Sequence, residues 1–332
     1  MSTITGLHHV TVNSGDPQEN LNFYVGTLGL RLVKRTVNQD APDTYHLFYA
    51  DGAGNPGTEI TFFPWRGMRR GRPGAGETSE IALAVPAASL DFWAARLAEH
   101  GVRDAQHAVR FGEPVLTFTD PHGLHLALVE TADPREFTPW ADSPVHESQQ
   151  IRGLHAVRIT VATSEPTSRF LTEALDFEPI AEEGRWQRFG VGGGGSGRIV
   201  DVRSMPGTAR ASSGAGSVHH VAFRVPDDAS ELVAQQQVRA AGGQPTQVID
   251  RFWFKSIYFR EPGGALFEIA TDGPGFAIDE DAATLGEQLI LPPFLEQHRA
   301  EIERALQPVT LPRVGASSAG SSAPPQVRRI DV

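Results

Sequence analysis

The sequence predicts an α+β fold assembled from four β-α-β-β-β modules, and three observations predict it. Gly6-Leu7-His8-His9-Val10 returns 147 residues later as Gly153-Leu154-His155-Ala156-Val157. Two further strand starts have the same character, Glu80-Ile81-Ala82-Leu83-Ala84-Val85 and Ser217-Val218-His219-His220-Val221-Ala222-Phe223. After each start the same signals follow: an amphipathic helix, then strand-like segments that close on a strongly apolar strand.

In module one the helix is expected over 19–28 and the closing strand over 59–63. Module two repeats this with a helix at 88–100 and a closing strand at 125–129, announced by the turn Asp120-Pro121-His122-Gly123. Module three places them at 166–175 and 198–202, with the glycine run 192–195 as a hairpin loop; no helix pattern follows that run, so it is not a nucleotide fingerprint. Module four has its helix at 229–241 and a closing strand at 266–270 behind the turn Glu261-Pro262-Gly263-Gly264. The Pro-rich, weakly periodic stretch before residue 153 reads as a linker. The expected organisation is therefore an N-terminal half over 1–132, a linker over 133–152 and a C-terminal half over 153–272. A helical extension over 273–307, centred on a helix at 293–306, and a disordered tail over 308–332 complete it.

With 332 residues, 40% of them hydrophobic and 21% charged, the composition is that of a globular protein of about two domains. A net charge of −11 argues against nonspecific nucleic-acid binding, which needs a basic surface. No apolar run reaches the ~20 residues of a membrane helix, and the first residues lack a basic region followed by an apolar one. A cytoplasmic protein without membrane or nucleic-acid partners is expected, with homo-oligomerisation left open. The absence of cysteine excludes disulfides, thiolate metal sites and a cysteine nucleophile.

The chemistry is concentrated in the two His-His pairs and in Glu268, the single carboxylate of the strand 266–270. An imidazole inside an apolar strand needs partners for its ring nitrogens, and a metal ion is a good one. A buried, unpaired carboxylate costs several kcal/mol. Two histidines and one carboxylate form the ligand type of non-haem Fe(II) oxygenases. Regular strand alternation would send one imidazole of each pair to either face of its sheet. Because all candidates belong to modules one and four, those modules are expected to share a sheet. The corresponding positions of modules two and three, Glu80, Ala127, Ala156 and Asp201, make no convincing metal set.

The ordered set of Leu7-His8-His9-Val10-Thr11, Leu32-Val33-Lys34-Arg35-Thr36-Val37, Tyr45-His46-Leu47-Phe48-Tyr49-Ala50-Asp51, Pro56-Gly57-Thr58, His219-His220, Arg251 with Tyr258, Pro262-Gly263-Gly264 and Phe267-Glu268 resembles the vicinal oxygen chelate superfamily. Within it the nearest likeness is to ring-cleaving dioxygenases of para-hydroquinones. The resemblance runs over about residues 4–300. It implies two curved, barrel-like mixed sheets, a metal held by His9, His220 and Glu268, and supporting roles for His8, Thr11, His219, Arg251 and Tyr258, with His8 and His219 pointing away from the metal. The implied metal is Fe(II), with Mn(II) or Zn as alternatives, and the implied substrates are an aromatic diphenol and O2. Arg251 would stabilise a developing anion and Tyr258 would exchange a proton, or the two roles would be reversed.

Two other functions compete. A glyoxalase-type isomerase using Zn or Ni would need a fourth ligand from the strand 59–63, where alignment gives Thr61 or Phe62; a shifted register would bring Glu59 instead. A non-catalytic protein binding an aromatic ligand or a metal is the other. His122, His125 and His155 are expected to be structural. Phe23, Tyr24 and Trp93 are expected in packing, and Phe252, Trp253 and Phe254 either in packing or in a pocket wall.

Overall fold

The computed structural model describes residues 3–133, 135 and 137–312. Module one comprises β1 (Gly6–Ser14), α1 (Pro17–Leu21), β2 (Arg31–Asn38), β3 (Ala41–Ala50) and β4 (Glu59–Pro64). Module two comprises β5 (Glu77–Pro86), α2 (Leu90–Glu99), β6 (Gln106–Arg110), β7 (Glu113–Thr119) and β8 (His125–Thr131). Module three has β9 (Gly153–Val161), α3 (Ser164–Ala174), β10 (Glu178–Glu183), β11 (Trp186–Gly190) and β12 (Ile199–Ser204). Module four has β13 (Val218–Val225), α4 (Asp228–Ala240), β14 (Ile249–Asp250), β15 (Lys255–Arg260) and β16 (Leu266–Thr271).

The modules pair in the order the candidate ligands require. One eight-stranded sheet runs β14-β15-β16-β13-β1-β4-β3-β2 and joins modules one and four. The other runs β10-β11-β12-β9-β5-β8-β7-β6 and joins modules two and three. In each, the module-starting strands meet antiparallel at the centre, and each runs parallel to its own closing strand. The central strands are buried on both faces, which is why β1 and β9 carry no solvent-facing polar alternation.

The recurrence of glycine ahead of Leu-His has a steric cause. A Cβ on Gly6 would lie 2.7 Å from the Gly197 carbonyl oxygen, and one on Gly153 would lie 2.8 Å from that of Gly57. At these points the halves are stitched by Leu7 N–H to Gly197 O and Leu154 N–H to Gly57 O. The run 192–195 is a loop in which all four glycines have positive φ, a conformation that side chains disfavour.

Helices two to four lie within about two residues of expectation. The first departs from it: Asp16 caps α1 at Gln18 and Glu19, and the chain then widens into a π-helical stretch, Asn22–Thr27. The extra residue per turn lets the consecutive side chains of Phe23, Tyr24 and Val25 all be buried. Tyr24 and Trp93 are fully buried packing residues. The extension over 273–307 is largely irregular chain with three 3₁₀ segments, the last of them Pro293–His298, followed by α5 (Arg299–Ala305). The start of the expected disordered tail is instead tied down, since Gln18 exchanges two hydrogen bonds with Thr310, and just before it Tyr45 donates to Gln307 O. The rest of that tail, 313–332, lies outside the described residues. Among the described residues no helix is long and apolar enough to cross a membrane.

Candidate metal centre

Both His-His pairs lie at β-bulges, and the bulges overturn the expected alternation. Leu7 pairs with Phe223 and His9 with Ala222, so His8 is the extra residue on β1. Thr11 pairs with His220 and Val12 with Val218, so His219 is the extra residue on β13. An inserted residue cancels one step of the pleat and re-aims its side chain. His8 and His9 therefore approach on the same side, Nδ1 to Nδ1 at 2.9 Å, and His219 and His220 do so at 2.8 Å. His8 and His219 do not point away from the site; each backs its neighbour.

His9 Nε2 lies 3.2 Å from His220 Nε2, and Glu268 Oε2 is 2.8 Å from His220 Nε2 and 3.4 Å from His9 Nε2. All three residues are buried. Despite the short distances, Glu268 Oε2 has no partner in hydrogen-bonding geometry among the described residues. The three atoms converge on a common point rather than on one another. Donors ~2.1 Å from one ion and at right angles would be spaced by about 3 Å, so the set fits one divalent cation on three facial positions.

The hydrogen-bond chain behind His9 leaves the appropriate nitrogen bare. His8 Nε2 is 3.2 Å from Thr271 O, a carbonyl that can only accept, so this nitrogen carries the hydrogen. Burial and the adjacent His9 lower the His8 pKa to about 3, so its ring is neutral and its Nδ1 accepts. His9 Nδ1–H then donates to it, which directs the His9 Nε2 lone pair at His220 and Glu268. Burial alone would push the Glu268 carboxyl up, but the positive charge that His9 and His220 carry when protonated holds it well below the usual carboxylate range. Ser256 Oγ donates to its other oxygen at 2.5 Å.

Tyr258 stands opposite Glu268 on β15, its ring 5.7 Å from that of His220. Burial, and then the charge of Glu268, raise its pKa, so the phenol holds its proton. The Arg251 guanidinium sits 5.3 Å over the Tyr258 ring and pairs with Asp40 at 3.1 Å. The structure thus brings His8, His9, Thr11, His219, His220, Arg251, Tyr258 and Glu268 to one cup. Phe254 packs its ring 5.4 Å from His8 and 5.3 Å from His9, whereas Trp253 turns to the extension and bonds Asp279.

Thr61 occupies the position in module one that Glu268 holds in module four, because Thr11 pairs with Thr61 as Ala222 pairs with Glu268. Its hydroxyl bonds Thr11 Oγ1 at 2.7 Å and His46 Nε2 at 2.9 Å. Glu59 is two residues earlier; its Oε2 comes to 3.9 Å from His8 Nδ1 and finds no hydrogen-bond partner among the described residues. Burial and the nearby Asp51 push this carboxyl well up. It makes a second potential metal group with His8 and His9, sharing His9 with the first.

His46 was in view in the sequence only as part of a motif. It lies on the cup face, packed 3.9 Å from the Phe48 ring and 4.4 Å from that of Phe63, with its pKa driven well down by burial and by His9 and His220. The signal for it was the alternation His46, Phe48 on β3, which puts both on one face. Lys34 was also missed: fully buried, it bonds Phe276 O, Asp279 and Glu280 and fastens the extension across the end of the cup. His122 pairs with Glu19 at 3.1 Å and His155 with Glu113 at 3.3 Å, neither in a metal group among the described residues.

Residues 6–128 and 153–269 match the family profile of the glyoxalase, bleomycin resistance protein and dioxygenase superfamily. The chain belongs to this superfamily. The Bacillus subtilis protein MhqO, named as a ring-cleaving dioxygenase, is 43% identical over 91% of this chain and 96% of its own length. The chlorohydroquinone/hydroquinone 1,2-dioxygenase of Sphingobium indicum is 34% identical over 91% of this chain and 96% of its own. The crystal structure of a Bacillus subtilis protein described as a dioxygenase superposes with a TM-score of 0.89 at 42% identity, covering 94% of this chain and 99% of that one. Glyoxalase I from Zea mays shares the fold at a TM-score of 0.62 and 17% identity, over 80% of this chain and 92% of that one.

Proposed function

We propose that this chain is a metal-dependent, extradiol-type dioxygenase that cleaves the ring of a hydroquinone or related diphenol with O2. The observation that carries the reading is the convergence of His9 Nε2, His220 Nε2 and Glu268 Oε2 on one point in a buried cup. The names of relatives at 34% to 43% identity support the reaction class. His9, His220 and Glu268 would hold Fe(II), which when bound supplies adjacent open positions for a phenol and O2 and a route for electrons between them.

The rest of the chemistry falls to the chain. Tyr258, neutral and beside Glu268, is placed to exchange a proton with a substrate hydroxyl. Arg251 keeps a fixed positive charge over Tyr258 and can stabilise an anion developing on the ring. Phe48, Phe63 and Phe254 give a flat substrate an apolar wall and exclude water. His46, with its nitrogen on Thr61, is positioned to hold a distal hydroxyl in place. The glyoxalase reading is disfavoured because the fourth-ligand position holds the neutral hydroxyl of Thr61 rather than a carboxylate.

The test is oxygen uptake by protein loaded anaerobically with Fe(II) and given hydroquinone, alongside isomerisation of a hemithioacetal. Oxygen consumed in proportion to ring opening is the expected result. Isomerisation without oxygen uptake would replace this reading with the glyoxalase one.

A further inference from the structure

The second sheet has a cup of its own, and it is filled with arginine. Arg158 follows Thr11 by the same 147-residue repeat that relates Ala156 to His9. Where the first cup gathers imidazoles, this one gathers ion pairs. Arg110 forks onto Glu80, Arg188 forks onto Asp201 at 2.8 and 3.1 Å, and Arg188 also reaches Glu113. Arg158 pairs with Glu80 and Asp201 only at longer range. It is 7% exposed, 3.8 Å from Glu80 and 3.6 Å from Asp201, and its Nε lacks a hydrogen-bond partner among the described residues.

Above this network is a cavity of about 590 Å³, bounded by β5, β9, β11, β12 and the 70–74 segment. Five arginines line it against two glutamates, in a chain whose net charge is −11. The Trp186 ring carries two of them, with the Arg158 guanidinium 3.6 Å and the Arg203 guanidinium 4.6 Å from its centre. Stacking of this kind fixes both planar forks without using their hydrogen-bond donors. Arg203 spends only its Nε, on Thr160 Oγ1, among the bonds of the described residues. Burial and the neighbouring Arg110 lower the Arg158 pKa to about 10, a tension that an anion in the cavity would relieve.

We propose that this cavity is a second binding site, separate from the metal cup, for a small organic carboxylate held by Arg158 and Arg203 beside Trp186. Guanidinium forks bind carboxylate and phosphate alike. Glu77 and Glu80 on the wall repel a dense double charge, which favours a singly charged carboxylate over phosphate. The volume suits a molecule of ordinary small-ligand size.

Benzoate and inorganic phosphate, titrated separately into the metal-loaded protein at constant ionic strength, test the assignment by calorimetry and tryptophan fluorescence. Benzoate is expected to saturate one site that persists in Glu268→Ala, weakens about tenfold or more in Arg203→Gln, and loses its fluorescence change in Trp186→Phe. Arg203→Gln should leave turnover in the metal cup unchanged. Arg158→Gln should abolish binding; if that variant does not fold, Arg203→Gln decides alone. No saturation by benzoate up to about 10 mM, or unchanged affinity in Arg203→Gln, would overturn the site. Phosphate binding tighter than benzoate would overturn the carboxylate as its ligand.

Discussion

His8 is the residue on which the orientation of His9 rests, and replacing it separates ligand support from ligation. His8→Leu removes the acceptor for His9 Nδ1–H, so the ring loses its fixed tautomer while keeping its place on β1. The expected loss is about 10- to 100-fold in metal affinity, read by competition with a chelator. Arg251→Ala and Tyr258→Phe should do the reverse, retaining metal while slowing turnover by about 10²–10³ and 10²–10⁴ respectively. Metal content and rate measured on the same samples distinguish the two classes. The three proposed ligands were legible in the sequence because a carboxylate and two histidines interrupted otherwise apolar strands. The direction of their neighbours was not, since a bulge leaves no mark on a pattern read at period two. His46 was hidden for a different reason: beside Tyr45 and Leu47 it passes for an ordinary member of an alternating strand.

Among the elements, α4 and the extension make the clearest demands. Glu231 on α4 is buried, with one carboxylate oxygen lacking a hydrogen-bond partner among the described residues. Burial and the adjacent Asp228 push its pKa from 4.5 up to about 7. The folded chain thus keeps this proton to higher pH than the unfolded one, and the group destabilises the fold increasingly as pH rises from 4.5 through 7. Glu231→Gln should raise the melting temperature at pH 8, with the gain closing as pH falls towards 4.5. Lys34→Met would leave Asp279 and Glu280 without their cation, at a cost of about 3 kcal/mol. The extension should then become the first site of proteolytic cleavage, as mapped by mass spectrometry. Helices two to four were legible from periodicity. The extension was legible as ordered chain, but its attachment through a lysine 245 residues away from Asp279 is a tertiary fact.

For the whole molecule, the two cups predict one bound metal ion per chain. Both potential metal groups among the described residues share His9, and none lies in the second sheet. Titration should therefore stop at one equivalent, and Glu268→Ala should take it close to zero. The pairing of modules one and four could be argued from the sequence, because three ligands must meet. The arginine network of the second cup could not, because Glu80 and Asp201 find their partners on strands that only the folded sheet brings together. The seam between β1 and β13 has a further consequence for synthesis. His9 and His220 are 211 positions apart, and Glu268 comes later still. A nascent chain on the ribosome that has completed modules one to three owns one of the three proposed donors. The centre therefore cannot assemble until the last module emerges and closes the sheet. Truncated or stalled chains have no complete triad with which to bind a metal ion, and ring-cleaving chemistry is confined to molecules whose fold is finished.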